Sequence, residues 1–308
     1  MTADLPEPSD PRAARWIAIL LAVVVLLLLA GELGTRRIAM PSSRIERRIH
    51  ADIDSARHIG AAHGTSVLIV GNSLLERAVD TLLLHQGMAP EWTARRLDVE
   101  QTYYLDWWFG LRSLWDAGAG PSHIVVMLDA GQLASPLTRG DYSAMRLVSA
   151  RDLISMGREA GLHPTEISRL VLSHFSAYYG FRGESRKVLL GKIIPGMAEL
   201  VGHFTPRGHG KADTVATEAV AYARLRDLKA AIEAHGATFT FAIPPVSELR
   251  GDTRAVVRAA VRAGVPVIVP EPLPAQLFFD GYHVNDTGAR LYTGQFVHDL
   301  RARLATGK

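Results

Sequence analysis

A chain of 308 residues with 48% hydrophobic side chains is long enough to bury a large core, which excludes a disordered or fibrous protein. Its 34 basic residues against 31 acidic ones leave a net charge of +3, and the basic side chains neither gather on a reading helix nor alternate with aromatic platforms, so nothing points to nucleic acid as a partner. The absence of cysteine excludes disulfides, thiolate metal sites and a cysteine nucleophile.

Residues 1–15 carry three prolines and little apolar surface, and are expected to form a flexible tail. The run WIAILLAVVVLLLLAG over 16–31 holds no charge and is bounded by Arg12 and Arg15 before it and by Glu32, Arg36 and Arg37 after it. At 1.5 Å per residue it covers about 24 Å, just under a membrane span, and Trp16 and Leu33 suit its two ends. This predicts a transmembrane anchor over 16–35. A cleavable signal peptide is the competing reading, although no small-x-small site follows the apolar core cleanly. Two arginines precede the segment, whereas Arg36, Arg37, Arg44, Arg47 and Arg48 follow it, a count that favours a cytoplasmic domain. Residues 36–62, mostly polar with isolated apolar positions, read as a surface helix or stalk leading to a domain over 63–308.

From Thr65 onward strand-like and helix-like segments alternate. Ser66–Val70, Thr93–Val99, His123–Leu128, Ala237–Ile243 and Val265–Val269 are the predicted strands. Helical spacing marks 74–86, 104–117, 216–235, 254–263 and 286–304, with Trp107, Trp108, Leu111, Leu114 and Trp115 on an apolar face expected to pack against the sheet. Alternation of this kind predicts an α/β domain with a mostly parallel, doubly wound sheet covered on both faces. The interval between the third and fourth strands is too long for one crossover, and its helical patterns predict an insertion over about 134–211.

Gly71-Asn72-Ser73-Leu74 falls at the junction of the first strand and the next helix, where open α/β sheets bind ligands. Gly71 permits a sharp turn, Asn72 can hydrogen-bond within it, and Ser73 would either expose its hydroxyl or cap the helix. A serine hydroxyl needs a base to become nucleophilic. Near the C terminus, FFDGYHVNDTGARLY sets Asp280 three residues before His283, just ahead of the last helix. Histidine can take the serine proton, and a carboxylate can fix its tautomer and stabilise its imidazolium. Alone, the pair would equally suit a metal or a solvent-facing loop. No HExxH or similar spacing points to a metal, and Gly71 lacks the following G-x-x-G of a dinucleotide site, so no cofactor is expected.

Together the two motifs resemble those of the SGNH, or GDSL-like, hydrolase superfamily, in which a G-[DN]-S-[LI] serine follows the first strand and a late D-x-x-H supplies the other two triad members. The resemblance spans roughly residues 64–304. It implies a three-layer, flavodoxin-like α/β fold with Ser73, His283 and Asp280 as the catalytic residues and the Ser73 N–H as an oxyanion donor. The family's further donors are a glycine after the second strand and an asparagine after the third. No glycine stands out near Glu100–Tyr103, and the third strand is followed by Leu128-Asp129-Ala130-Gly131-Gln132-Leu133. Gln132 would replace the asparagine amide and Gly131 would offer a backbone donor, with a slip of one residue exchanging them; Asp129 would contact substrate hydroxyls or cap a helix. His174 and Tyr178, with His203 and His209, are further candidates for the insertion's side of the cleft.

The proline-ended fourth strand, Phe241–Pro245, and the pattern Asp280, His283, Asn285, Gly288 look like the membrane-associated branch that acylates cell-envelope polysaccharide or teichoic acid. That branch implies an extracytoplasmic domain, against the arginine count. It implies as partners an acyl ester or acylated carrier, a carbohydrate polymer, a membrane-bound acyl-transfer protein and the membrane. Hydrolysis of a carboxylic ester is the first functional expectation. O-acyl transfer, especially of acetyl, is the second, and a non-catalytic envelope-assembly or carbohydrate-binding role is the third.

Overall fold

In the computed structural model of the protein, residues 11–60, 65–186, 214–249 and 251–306 are described. Five short segments, mostly rich in β-branched and aromatic residues, lie side by side: β1 (Ser66–Gly71), β2 (Thr93–Asp98), β3 (His123–Met127), β4 (Thr238–Ala242) and β5 (Val267–Ile268). Every pairing is parallel and the order is β2-β1-β3-β4-β5. β1 and β3 are buried at every position, as strands covered on both faces require, whereas edge strand β2 turns Thr93 and Arg95 to solvent. The chain leaves β1 toward β2 on one side and returns to β3 on the other. Connections from neighbouring strands therefore diverge at the carboxyl ends of β1 and β3, the place where open sheets of this kind bind ligands.

The apolar N-terminal segment forms α1 (Pro11–Gly34), which continues through a π-helical turn at Thr35–Ala39 and a last α turn at Met40–Ser42. It starts at Pro11, inside the stretch expected to be tail. Among the described residues one helix is long and apolar enough to cross a membrane, and no residue of its apolar window is buried in the protein.

The polar segment that follows does not stand off as a stalk. Ser43 caps α2 (Arg44–Arg57), its hydroxyl accepting from the Glu46 N–H. Ile49, Ile53 and Ala56, one helical turn apart, are buried in the core with Leu97 of β2. The polar face is bound into the domain as well. Arg48 pairs with Asp98 at 2.9 Å and Glu76 at 2.7 Å, and buried Glu46 accepts from the Tyr142 hydroxyl at 2.7 Å and from Arg146.

α3 (Ser73–Ala78) and α4 (Thr81–Met88) follow β1, and α5 (Tyr104–Asp116) follows β2. After β3 come α6 (Ala130–Ala134), α7 (Asp141–Arg146), α8 (Leu153–Glu159), α9 (Pro164–Phe175) and α10 (Ala177–Gly180). The remaining part of the expected insertion, from residue 187, lies outside the described residues. α11 (Thr214–Ala234) leads into β4, α12 (Gly251–Arg262) into β5, and α13 (Asp286–Thr306) closes the chain.

Alternate residues of the central strands feed two cores. Leu68, Val70, Ile124 and Val126 meet α2, α5, α11 and α12 on one face; Val67, Ile69, Val125 and Met127 meet α3, α4 and α13 on the other. The fold is thus α/β, with a five-stranded parallel sheet between two helical layers, and α13 lies on the same face as the helix that begins at Ser73.

Candidate active site

β1 ends in a tight turn because Gly71 has no side chain: a Cβ there would lie 2.8 Å from the Met127 carbonyl and 2.9 Å from the Leu75 Cβ. The next residue, Asn72, is fully buried and takes the capping role. Its side-chain oxygen accepts from the Leu74 N–H at 3.0 Å, and its amide donates to the Thr102 carbonyl at 2.9 Å. Ser73 is therefore the first helical residue rather than the cap, and its hydroxyl is not used to start α3.

The turn is braced from beneath. The buried Thr102 hydroxyl donates to the Val99 carbonyl at 2.7 Å and accepts from the Trp107 indole N–H at 3.0 Å, so Trp107 is more than core filling. Thr102→Val leaves that indole without its acceptor. It is expected to cost about 1–3 kcal/mol of stability, read as a lower midpoint in denaturant unfolding with an unchanged slope.

Residues 278–284 form a loop pinched by an antiparallel bridge between Phe278 and Val284, with Gly281 at φ +78°. One oxygen of Asp280 accepts from the backbone N–H groups of Tyr282 at 2.9 Å and His283 at 2.6 Å, and the other accepts from His283 Nδ1 at 2.8 Å. Because an ionised carboxylate is only an acceptor, the imidazole proton sits on Nδ1 and leaves Nε2 as acceptor. His283 Nε2 lies 3.1 Å from Ser73 Oγ. Phe279 stacks on the imidazole and Tyr282 meets it edge-on, which fixes the ring plane.

Partial burial alone would raise the Asp280 carboxyl. The hydrogen bonds from the His283 ring and the two backbone N–H groups, with the attraction of His283, outweigh it and hold the group below its ordinary value. Asp280 thus stays ionised across the neutral range beside a base that gains charge when it takes a proton.

Asp129, Gln132 and Tyr282 are joined in a triangle. Asp129 caps α6 by accepting from the Gln132 N–H at 2.7 Å, while its own N–H donates to the Gln132 side-chain oxygen at 3.0 Å. The Gln132 amide donates to the Tyr282 hydroxyl at 3.2 Å, and that hydroxyl donates to the second oxygen of Asp129. Burial and the Asp129 carboxylate push the Tyr282 phenol well above its usual range, so it remains a donor. Both polar ends of the Gln132 side chain are engaged within the triangle, and Gly131 lies beside it in the first turn of α6.

The structure therefore brings Ser73, His283 and Asp280 into one hydrogen-bonded line and joins Asp129 and Gln132 to the histidine loop through Tyr282. Tyr282 lies inside the D-x-x-H motif, yet its spacing carries no sign of this role; the link appears when α6 is folded beside the loop. Tyr282→Phe removes two hydrogen bonds from a part-buried carboxylate and amide. A loss of about 1–3 kcal/mol is expected, with kcat falling more than KM rises as the histidine loop loses its tie to α6 while the ring keeps its edge-on contact with His283. Chemical unfolding combined with steady-state kinetics measures both.

The other histidine candidates do not gather at this line. His174 Nδ1 bonds the Ala144 carbonyl at 2.8 Å, Tyr178 packs on Gly31, and His203 and His209 lie outside the described residues.

No family model matches the chain, and no curated protein matches it. Among solved structures it is similar to LAE5, an alpha/beta hydrolase from the metagenome of Lake Arreo, Spain, at 13% identity and a TM-score of 0.39, over 79% of this chain and 97% of that one. It is also similar to Axe2, an acetylxylan esterase from Geobacillus stearothermophilus, at 13% identity and a TM-score of 0.37, over 78% of this chain and 95% of that one.

Proposed function

We propose that this protein is a serine-dependent carboxylic-ester hydrolase held at a membrane by α1. The observation that carries the reading is the continuous line Ser73 Oγ–His283 Nε2 and His283 Nδ1–Asp280, at 3.1 and 2.8 Å. Such a line supplies a nucleophile, a general base and a group that orients the base and balances its charge.

In the proposed reaction the Ser73 oxygen attacks the ester carbonyl as its proton passes to His283 Nε2. The imidazolium formed is stabilised by ionised Asp280. Negative charge on the former carbonyl oxygen is met by the Ser73 N–H at the start of α3 and by a first-turn N–H of α6, with Gly131 the candidate. The C–O bond then breaks, His283 returns its proton to the departing alkoxide, and an acyl-serine remains. Water activated by the same histidine attacks this acyl group and restores the serine. Asp129 and Gln132 serve in this scheme as the frame for the histidine loop rather than as oxyanion donors, because their polar atoms are already bonded to each other and to Tyr282.

The apolar, uncovered length of α1 supports membrane attachment. A tethered enzyme also suits transfer to a surface polymer, since the acyl-serine can be attacked by a sugar hydroxyl as well as by water. The test uses the full chain in detergent with an activated acetyl ester, with and without oligosaccharide acceptors, followed by mass spectrometry. Release of acetate that depends on Ser73 is the expected result, and acetylated sugar in its place would make the enzyme a transferase. Folded protein that forms neither product nor an acyl-serine with acetyl, butyryl or longer activated esters would sink the enzymatic reading.

A further inference from the structure

The apolar run of α1 ends at Gly31, and a carboxylate follows at once. An ionised side chain at the edge of hydrocarbon is costly unless its acceptors are filled. Glu32 is filled by a distant part of the chain. One oxygen accepts from the Ala177 N–H at 2.9 Å, and the other accepts from the Tyr178 N–H at 3.0 Å and the Ser176 hydroxyl at 2.9 Å. Arg36 pairs with the same carboxylate and reaches the Phe175 carbonyl at 3.3 Å. The Tyr178 ring lies against Gly31 so closely that a Cβ there would stand 3.2 Å from it.

These contacts fix the height of the corner between α9 and α10. It stands beside the stretch from Gly31 to Arg36, where the apolar run gives way to charge, and Leu33 within that stretch is exposed. At that height the corner turns outward large side chains that a water-facing surface would disfavour: Phe175 is 65% exposed, Tyr178 51% and Leu172 48%. Aromatic residues at the boundary between hydrocarbon and headgroups are the usual occupants of that layer, and arginine beside them suits phosphate. Arg36 and Arg37 follow in the π-helical turn just beyond.

We propose that the α9–α10 corner is a second membrane-contacting element, with Phe175, Tyr178 and Leu172 seated in the phospholipid interface beside the anchor. This rests on the reading of α1 as a membrane span. The corner and the anchor then form one surface that sets the domain's tilt, rather than a domain swinging on a leash.

Because the chain has no cysteine, single cysteines report one position each. Full-length variants Leu26→Cys, Phe175→Cys, Leu172→Cys and Val261→Cys, labelled with a nitroxide in phosphatidylcholine–phosphatidylglycerol vesicles, are compared by relaxation with oxygen and with a water-soluble nickel chelate. Val261, 71% exposed on α12, is the aqueous reference and Leu26 the hydrocarbon one. The expected result is chelate accessibility at Phe175 and Leu172 several-fold below that at Val261, with oxygen accessibility between the two references. Labels at Phe175 and Leu172 that match Val261 while Leu26 stays shielded would overturn the corner and leave the anchor standing. A label at Leu26 open to the chelate would overturn the anchor reading, and the corner with it.

Discussion

Ser73→Ala is expected to lower kcat on an activated ester by roughly 10⁴- to 10⁶-fold and to abolish any acyl adduct on the intact protein. The size follows from what the hydroxyl does. In the proposed reaction it forms the bond that defines the intermediate, and its removal would leave backbone donors and an idle base, which polarise a carbonyl but cannot attack it. The thermal midpoint is expected to stay near that of the parent protein, because Asn72 rather than Ser73 caps α3 and the bracing hydrogen bonds of the turn belong to Asn72, Thr102 and Trp107. Parallel measurement of ester turnover, intact mass and unfolding separates loss of chemistry from loss of fold. Turnover in Ser73→Ala within about tenfold of the parent would remove this serine from the mechanism.

Asp280→Asn and Asp280→Ala are expected to differ, and the difference tests the role of each carboxylate oxygen. One oxygen holds the loop through two backbone N–H groups, and the other holds the His283 ring. Asparagine keeps an acceptor for the backbone but presents an N–H or a neutral oxygen to Nδ1, so the tautomer is no longer enforced and the imidazolium loses its counter-charge. A fall in kcat on the order of 10²- to 10⁴-fold with nearly full stability is expected. Alanine removes the backbone acceptor too. It should match the activity loss and add about 1–3 kcal/mol of destabilisation as the N–H groups of Tyr282 and His283 lose their partner. Kinetics on both variants beside chemical denaturation checks the pair; equal activity of Asp280→Asn and the parent would take Asp280 out of the acid–base line.

Where hydrophobic pattern alone decides structure, the sequence reading and the fold agree closely. β1 and β3 are apolar runs buried throughout, and the helices before β4 and β5 carry regular spacing, so the α/β class and strand sequence are legible in the residues alone. β2 is weaker in sequence because an edge strand tolerates Thr93 and Arg95 facing water. The region after α1 is illegible for a different reason. Glu46 and Arg48 look like solvent-facing charges until Tyr142, Arg146 and Asp98 are brought against them by folding from distant parts of the chain. The segment predicted as one helix over 74–86 breaks at Val79 and Asp80, where Asp80 caps a new helix through the Leu83 N–H at 3.0 Å. Tyr282 and Thr102 are silent in sequence because each acts through a partner that is near only in three dimensions.

Ser73 and His283 meet across 210 residues of chain. At a synthesis rate of about 5–20 residues per second, roughly 10–40 s separate the emergence of one from that of the other. During that interval β1 and its turn can form, but the serine has no base and the face that α13 covers lies open. On the mechanism proposed above, a polypeptide interrupted between the Ser73 turn and the 278–284 loop would therefore carry α1 and the serine but no base to activate it. In that mechanism the late histidine loop arms the serine, so chain order itself withholds ester cleavage until synthesis has passed residue 283.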